Sequence, residues 1–377
     1  MIPFNKPYLT GNELHYINEA VNSGKISGNG NFTLKCQDFF QKRYGIKKAL
    51  LTTSCTDALE MCAILADIQP GDEVIMPSYT FVSTALAFVR QGAKIVFTDS
   101  RNDHPGIDEN LIESLITEKT KAIVPVHYAG VACDMEKIMS IANKYNLLVI
   151  EDAAQAIDSY YQNKPLGSIG HLAAFSFHET KNINSGEGGL LAINDNRFIK
   201  RSEIIWEKGT NRSEFFRGEV NKYGWVDIGS SFLPSEIIAA FLFAQLENLE
   251  KIQSKRVSIW ISYYNALKEW AGNNEIKLPF IPHYASNNGH MFYLVCKSPV
   301  QRDQLINHFK ANGVLAVFHY LSLHKSQFYS KYNYNYELNQ SDFYSENLIR
   351  LPLYFEMDDE IQNKIIRTAL NFSLKSH

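Results

Sequence analysis

No run of apolar residues in this chain reaches the length of a membrane span, so helical insertion in a bilayer is not expected. A basic excess is also missing. Lys and Arg number 37 against 40 Asp and Glu, for a formal net charge of −3. General affinity for nucleic acid or an anionic membrane needs the opposite balance, although a local basic pocket for a phosphorylated ligand stays open. Cysteine is sparse: Cys36, Cys55, Cys62, Cys133 and Cys296 are odd in number and scattered, with no CxxC pair. That argues against a disulfide framework or a zinc site, and makes reduced thiols and the cytoplasm the expectation. The opening MIPFNKPYLTGNELHY has no basic stretch followed by an apolar run, so no signal peptide is read there. Repeats, low-complexity tracts and a flexible linker are lacking too.

What is present is ordinary for a globular enzyme: 45 % apolar and 20 % charged residues in 377. That length exceeds one compact core, so two unequal units are expected. The first part alternates apolar runs with amphipathic stretches. The runs are KALLTT (48–53), DEVIMPS (72–78), AKIVFTDS (93–100), KAIVPVHY (121–128), LLVIEDA (147–153), AAFSF (173–177) and GGLLAIN (188–194). Between them, TDALEMCAILAD (56–67) and DMEKIMSIANKYN (134–146) have helical spacing. The pattern predicts an α/β fold with a mainly parallel sheet covered on both faces. Ligands of such sheets bind at the carboxyl ends of the strands. Around Pro234, which suits the first turn of a helix, the texture changes to one long amphipathic helix through Trp270. Strand-like 290–297 and 313–320 then flank helix-like 300–312, and a helical segment from Asp358 closes the chain. The expected division is a large unit, 1–245, and a connector helix with a small C-terminal α/β unit, 246–377.

Four segments carry candidate chemistry at strand ends. In TTSCTDALE (52–60) a helix begins at once, and its free N–H groups with the hydroxyls of Ser54 and Thr56 suit a phosphate. From that segment alone a plain helix cap is the commoner reading. EDAAQA (151–156) sets Asp152 to hold a heteroaromatic nitrogen protonated and Gln155 to donate to a phenolic oxygen, or else Asp152 simply caps the next helix. FSFHETKN (175–182) offers the Ser176 hydroxyl and the Lys181 amine beside the turn NSGEGG (184–189). A Schiff-base lysine must be desolvated or near another cation, and a lone lysine is more often a surface charge. PSYTFVSTALAF (77–88) brings Tyr79 and Phe81, which either stack on a planar ring or fill the core. The combination, in order on successive strands, meets the needs of pyridoxal phosphate: an anion site, a ring face, a partner for the pyridine nitrogen and a lysine.

These residues resemble the DegT/DnrJ/EryC1/StrS sugar aminotransferases, a branch of fold-type I pyridoxal-phosphate enzymes. The resemblance runs from IPFNKPYLTGNE through SGKISGNG, TSCTDAL, DEVIMPSYTFVST, PVHYAG, VIEDAAQA, FSFHETKN and SGEGG to VFHYLSLH (317–324) and RLPLY (350–354). FSFHETKN, residues 207–231 and VFHYLSLH are most similar to the dTDP-4-amino-4,6-dideoxygalactose transaminase subgroup. The resemblance implies Lys181 as the cofactor-binding and catalytic lysine, Asp152 on the ring nitrogen and Gln155 on the phenolic oxygen. It implies Cys55, Thr56 and Ser176 on the phosphate and Phe81 on the ring. Many members have Gly at Cys55, and Asn, given to the neighbouring subunit's phosphate, at Ser231. His324 matches an active-site histidine near the substrate. Arg212, Arg217 and Lys222 are candidates for the substrate diphosphate, with a solvated charged loop the equal alternative, and Tyr320 and Lys25 for the sugar. The implied partners are L-glutamate, a dTDP-linked 4-keto-6-deoxy sugar and a second copy of the chain in a homodimer with shared sites; pyridoxamine phosphate is the implied intermediate form of the cofactor, and no metal is implied. Rival implications are amination at C3, an equatorial amine, or a non-enzymatic regulator on the same fold. The family's 3-dehydratases carry His in place of the lysine, so Lys181 argues against dehydration.

Overall fold

The computed structural model describes residues 1–332 and 336–373. Seven strands form the main sheet: β1 (Lys48–Thr52), β2 (Glu73–Pro77), β3 (Lys94–Thr98), β4 (Thr120–Ile123), β5 (Leu148–Asp152), β8 (Leu172–Ser176) and β9 (Gly189–Ile193). A two-residue ribbon, β6 (Tyr160–Tyr161) and β7 (Lys164–Pro165), interrupts the series. The order across the sheet is β1-β9-β8-β5-β4-β2-β3. Neighbours from β3 to β8 are parallel, and β9 runs antiparallel to both β1 and β8. The fold is α/β, as the apolar runs predict.

Alternation along each strand builds two cores. Leu51, Ile75, Ile123, Val149 and Ala173 enter one cluster, with helices Asn31–Tyr44, Met135–Tyr145 and Glu236–Glu247. Leu50, Val74, Ala122, Ile150 and Leu172 enter the other, under helices Cys55–Leu65 and Val82–Val89. Strands buried on both faces read as unbroken apolar runs for this reason. Each such Leu, Ile or Val side chain contributes roughly 1.5–3 kcal/mol on burial. The helices begin where the sequence signals them. Asp134 accepts from the Lys137 N–H, Ser298 from Gln301 with Pro299 in the first turn, and Asp358 from Ile361.

The second sheet is antiparallel, in the order β10-β12-β11: β10 (Phe292–Val295), β11 (Val317–Phe318) and β12 (Leu348–Leu351). It shares a third cluster with helices Leu249–Asn273, Pro299–Ala311 and Asp359–Leu370. A fourth cluster, Tyr79, Tyr128, Val131, Met291, Tyr293 and Tyr344 among its members, is an aromatic seam between loops after the main strands and the small sheet. We propose the unit boundary at 245/246, in the last turn of the helix Glu236–Glu247 on the main sheet and just ahead of the helix Leu249–Asn273 on the small sheet.

Several expectations change. The single helix from Ser235 to Trp270 is two, Glu236–Glu247 and Leu249–Asn273, broken at Asn248. There φ −104° and ψ 10° leave helical geometry, and the Asn248 amide donates to the Ala244 carbonyl. Asparagine competes for its own backbone in this way. Pro234 lies just ahead of the capping Ser235 rather than in the first turn. The run 121–128 is a strand only to Ile123, because the chain bends into a 3₁₀ turn at Tyr128–Gly130 with Ala129 at φ 57°. The run 313–320 is a strand only at Val317–Phe318, and β12 lies in 348–351, where no strand was expected.

Candidate active site

The carboxyl ends of β2, β5 and β8 open on one cavity of about 950 Å³, closed on the other side by the small sheet and by Phe4 and Asn5. At one end the helix Cys55–Leu65 points its N-terminus inward. Ser54 is extended and accepts from the Asp57 N–H. The N–H groups of Cys55 and Thr56 have no acceptor among the described residues, and both residues line the cavity. Gly189 lets β9 approach this turn: a Cβ there would stand 2.4 Å from the Ser54 carbonyl. Thr56 Oγ1 donates to Ser83 Oγ at 2.8 Å. Ser176, at the end of β8, completes this side of the lining. Two unpaired N–H groups, hydroxyls and a helix N-terminus make a cradle for a phosphate dianion.

Asp152 ends β5 and is 5 % exposed. Its Oδ2 accepts from Thr84 Oγ1 at 2.6 Å and its Oδ1 from the Ala154 N–H at 3.1 Å. Gln155 Oε1 accepts from the Ala129 N–H at 2.6 Å, and its Nε2 donates to the Tyr320 hydroxyl at 3.0 Å. Phe81 caps the helix Val82–Val89 and is 54 % exposed, its ring 5.9 Å from that of Tyr320. Tyr79 instead is fully buried in the aromatic seam.

Lys181 lies in the turn after β8, its N–H donating to the His178 carbonyl at 2.9 Å. Burial pushes its amine below the usual lysine range; Cys55 and Asp152 pull it back up, and the Arg350 charge adds to the lowering. Its Nζ has no ion pair or hydrogen bond among the described residues. The next residue holds the turn still. Asn182 Nδ2 donates to Gln253 Oε1 and to the Asn288 carbonyl, at 2.8 and 2.9 Å, and Asn182 Oδ1 meets His290 Nδ1 at 2.8 Å. A desolvated, unpaired primary amine on a fixed turn is what a Schiff-base lysine requires.

The expected residues divide in two. Cys55, Thr56, Phe81, Asp152, Gln155, Ser176, Lys181 and Tyr320 line one cavity. Lys25, Arg212, Arg217, Lys222, Ser231 and His324 do not. Lys25 Nζ donates to the Asn29 carbonyl, Arg217 pairs with Glu203 and Glu219, and Arg212 lies over the Phe216 ring. Lys222 and Ser231 are exposed elsewhere on the surface. His324 is buried behind the lining, with Nδ1 2.7 Å from Ser78 Oγ and Nε2 3.6 Å from Asp342. The cavity also holds side chains not singled out from the sequence: Thr84, His290, His319 and Arg350. His319 and Arg350 sit in the quoted VFHYLSLH and RLPLY segments, so the signal was there; Thr84 reads as an ordinary helix residue. His319 Nδ1 lies 2.7 Å from the Tyr128 hydroxyl and its ring stacks on Tyr320, 3.5 Å between centroids.

An anion cradle, a buried carboxylate fixed by two donors, an exposed ring and a free amine in one cavity fit pyridoxal phosphate. The DegT/DnrJ/EryC1/StrS aminotransferase family profile matches residues 7–369. SpsC of Bacillus subtilis, a spore coat polysaccharide biosynthesis protein, is 30 % identical over 98 % of this chain and 96 % of its own. Spr1654 of Streptococcus pneumoniae, solved in a PMP form, superposes with a TM-score of 0.90 at 26 % identity over 98 % of both chains. Its PLP form gives 0.89 at 26 %, over 98 % of this chain and 97 % of that one. PseC of Helicobacter pylori, an aminotransferase involved in the biosynthesis of pseudoaminic acid, gives 0.89 at 25 % over 98 % of both. The chain belongs to the DegT/DnrJ/EryC1/StrS aminotransferase family and is a pyridoxal-phosphate-dependent aminotransferase.

Proposed function

We propose that this enzyme moves the amino group of L-glutamate to C4 of a dTDP-linked 4-keto-6-deoxyhexose, giving dTDP-4-amino-4,6-dideoxygalactose, in the cytoplasm. The observation that carries amino transfer is the unpaired Lys181 amine in the same cavity as Asp152 and the helix N-terminus. The sugar acceptor is supported by SpsC and PseC, whose names tie them to polysaccharide and pseudoaminic acid biosynthesis. The choice of C4 and of the axial amine rests on FSFHETKN, residues 207–231 and VFHYLSLH.

Each side chain then has a task. Cys55, Thr56 and Ser176 hold the phosphate. Phe81 backs the ring, and Gln155 turns its amide from Tyr320 toward the phenolic oxygen. Asp152, fixed by Thr84, keeps the proton on the ring nitrogen. When bound, pyridoxal phosphate draws off the electrons of the substrate Cα–H bond and carries the amino group between donor and acceptor. The Lys181 amine takes the α-proton of glutamate as a general base and in the second half delivers a proton to C4 of the sugar. Tyr320 contacts the sugar, and His324 positions the wall behind it through Ser78.

Lys25, Arg212, Arg217, Lys222 and Ser231 work, in this reading, at the site of a second copy in a homodimer. Support comes from apolar residues exposed in the segment that carries most of them: Phe216, Trp225 and Ile228 are 70 %, 84 % and 54 % exposed, a surface that a partner would cover.

The test is product structure. Incubation with L-glutamate and dTDP-4-keto-6-deoxyglucose is predicted to yield an axial C4 amine by NMR. An equatorial amine, or an amine at C3 from a 3-keto substrate, overturns the proposal in favour of another nucleotide-sugar aminotransferase.

A further inference from the structure

His290 is held from three sides and leaves one ring nitrogen open. It follows Gly289, which has a left-handed φ of 60° and where a Cβ would stand 2.7 Å from the Arg256 carbonyl carbon, so glycine alone fits the turn. The His290 N–H donates to Asn288 Oδ1 at 3.0 Å, and its carbonyl accepts from Arg256 Nη2 at 2.8 Å. The residue is 8 % exposed and lines the same cavity as Lys181. Nδ1 lies 2.8 Å from Asn182 Oδ1. Nε2 has no partner among the described residues.

The hydrogen bonds around the ring decide which nitrogen carries the proton. On the helix Leu249–Asn273, Gln253 Nε2 donates to the Ile157 carbonyl at 3.3 Å, which leaves Gln253 Oε1 as the atom facing Asn182. Asn182 Nδ2 gives both of its hydrogens away, to Gln253 Oε1 and to the Asn288 carbonyl. The atom that meets His290 is therefore the Asn182 amide oxygen, which only accepts, so His290 Nδ1 is the donor. Burial, with the charge of Lys181 and then those of Arg256 and Arg350, pushes the imidazole well below the usual histidine range, and the ring stays neutral. A neutral imidazole protonated at Nδ1 has a bare lone pair at Nε2. His319 is not fixed in this way, because its Nδ1 faces the Tyr128 hydroxyl, which either donates or accepts.

A lone pair in a cavity calls for an N–H or O–H. Carboxylates and phosphates have none to give. Lys181 does: released from the cofactor, its amine has two N–H groups and one lone pair, and it is the cation that acts most strongly on His290. The lone pair of that amine must face the α-hydrogen of the amino donor, yet the Cε–Nζ bond turns freely unless one N–H is held. We propose that His290 is a positioning residue for Lys181: its Nε2 accepts an N–H of the free amine and turns the nitrogen lone pair toward the α-hydrogen. As Lys181 gains the proton the bond becomes charge-assisted and strengthens, so it favours the transfer itself more than the binding of the donor. Asn182, one residue after the lysine, ties both partners to the same turn. The inference rests on Lys181 as the base and not on the choice of sugar.

Two substitutions separate the two sides of the ring. His290→Asn puts an amide donor where Nδ1 stands and removes the acceptor at Nε2. His290→Gln reaches the Nε2 position with an amide oxygen and gives up the donor to Asn182. In the cofactor-loaded enzyme, the rate constant of the half-reaction with L-glutamate is expected to fall about 10- to 100-fold in Asn, the worth of a hydrogen bond to a charged group, and by a smaller factor in Gln. The glutamate concentration for half-saturation is expected to change less than about threefold in Asn, because the lost contact acts on the transfer. Deuterium on the glutamate α-carbon is expected to slow the Asn variant more than the wild type. A second readout needs neither cofactor nor substrate: nitrogen NMR of the cofactor-free, histidine-labelled chain at neutral pH is expected to show protonated Nδ1 and unprotonated Nε2 for the one ring whose signals vanish in His290→Asn. A protonated Nε2 overturns the proposal. So does an Asn variant as fast as Gln or faster, which would leave His290 only its hold on Asn182. A wild type inert to L-glutamate, with the expected NMR result, counts against the proposed donor, and the same comparison of Asn with Gln then decides the proposal with the amino acid that does react.

Discussion

Asp152 shows how one residue is prepared for its task. Buried at a strand end, its side chain is fixed by accepting from Thr84 and from the Ala154 N–H, because a buried polar group is tolerated only when hydrogen bonded. Thr84 is itself fully buried on the helix Val82–Val89. Thr84→Val keeps the shape and removes the donor. It is expected to lower kcat/KM by about tenfold, the worth of a hydrogen bond to a charged group, with helix content by circular dichroism unchanged. A variant as active as wild type would mean that Asp152 needs only its backbone donor. The place of Asp152 was legible in VIEDAAQA, since a strand-end carboxylate is visible in one segment. The contact from Thr84 was not, because its partner lies on a strand far along the chain and a threonine in an apolar helix carries no signal of its own.

At the scale of elements, one carboxylate organises the N-terminal helices. Glu236, the first residue of the helix Glu236–Glu247, accepts from the N–H groups of Gly30, Phe32 and Thr33 at 2.9, 2.7 and 3.0 Å, and from the Thr33 hydroxyl. It supplies the cap that Gly30 lacks for the helix Asn31–Tyr44. Glu236→Ala strands four buried donors and is expected to cost about 3 kcal/mol, seen as a lower urea midpoint at unchanged slope. A change below about 1 kcal/mol would mean that water replaces the carboxylate. Strands and helices of the main sheet were readable because burial on both faces demands unbroken apolar runs. The direction of β9 was not: GLLAI is equally apolar read either way, and only its pairing with β1 and β8 sets it antiparallel. The break at Asn248 was hidden by apolar spacing that continues across it.

For the whole molecule, the segment 207–231 carries exposed aromatics together with Arg212, Arg217 and Lys222, which miss this chain's own cavity. A two-fold partner would cover them and place them at its site. Sedimentation is expected to give two chains per particle, and Trp225→Arg to shift it toward one chain with activity falling in parallel. A wild-type monomer with full activity would remove the shared site. The account as a whole stands on Lys181. The most direct measurement is the absorbance spectrum of the purified chain with added pyridoxal phosphate, before and after Lys181→Ala. The account predicts a visible band from cofactor joined to the lysine in the wild type, bleached by L-glutamate, and no such band in the variant. A wild-type chain that takes up no cofactor, or a variant that keeps the band, would contradict it.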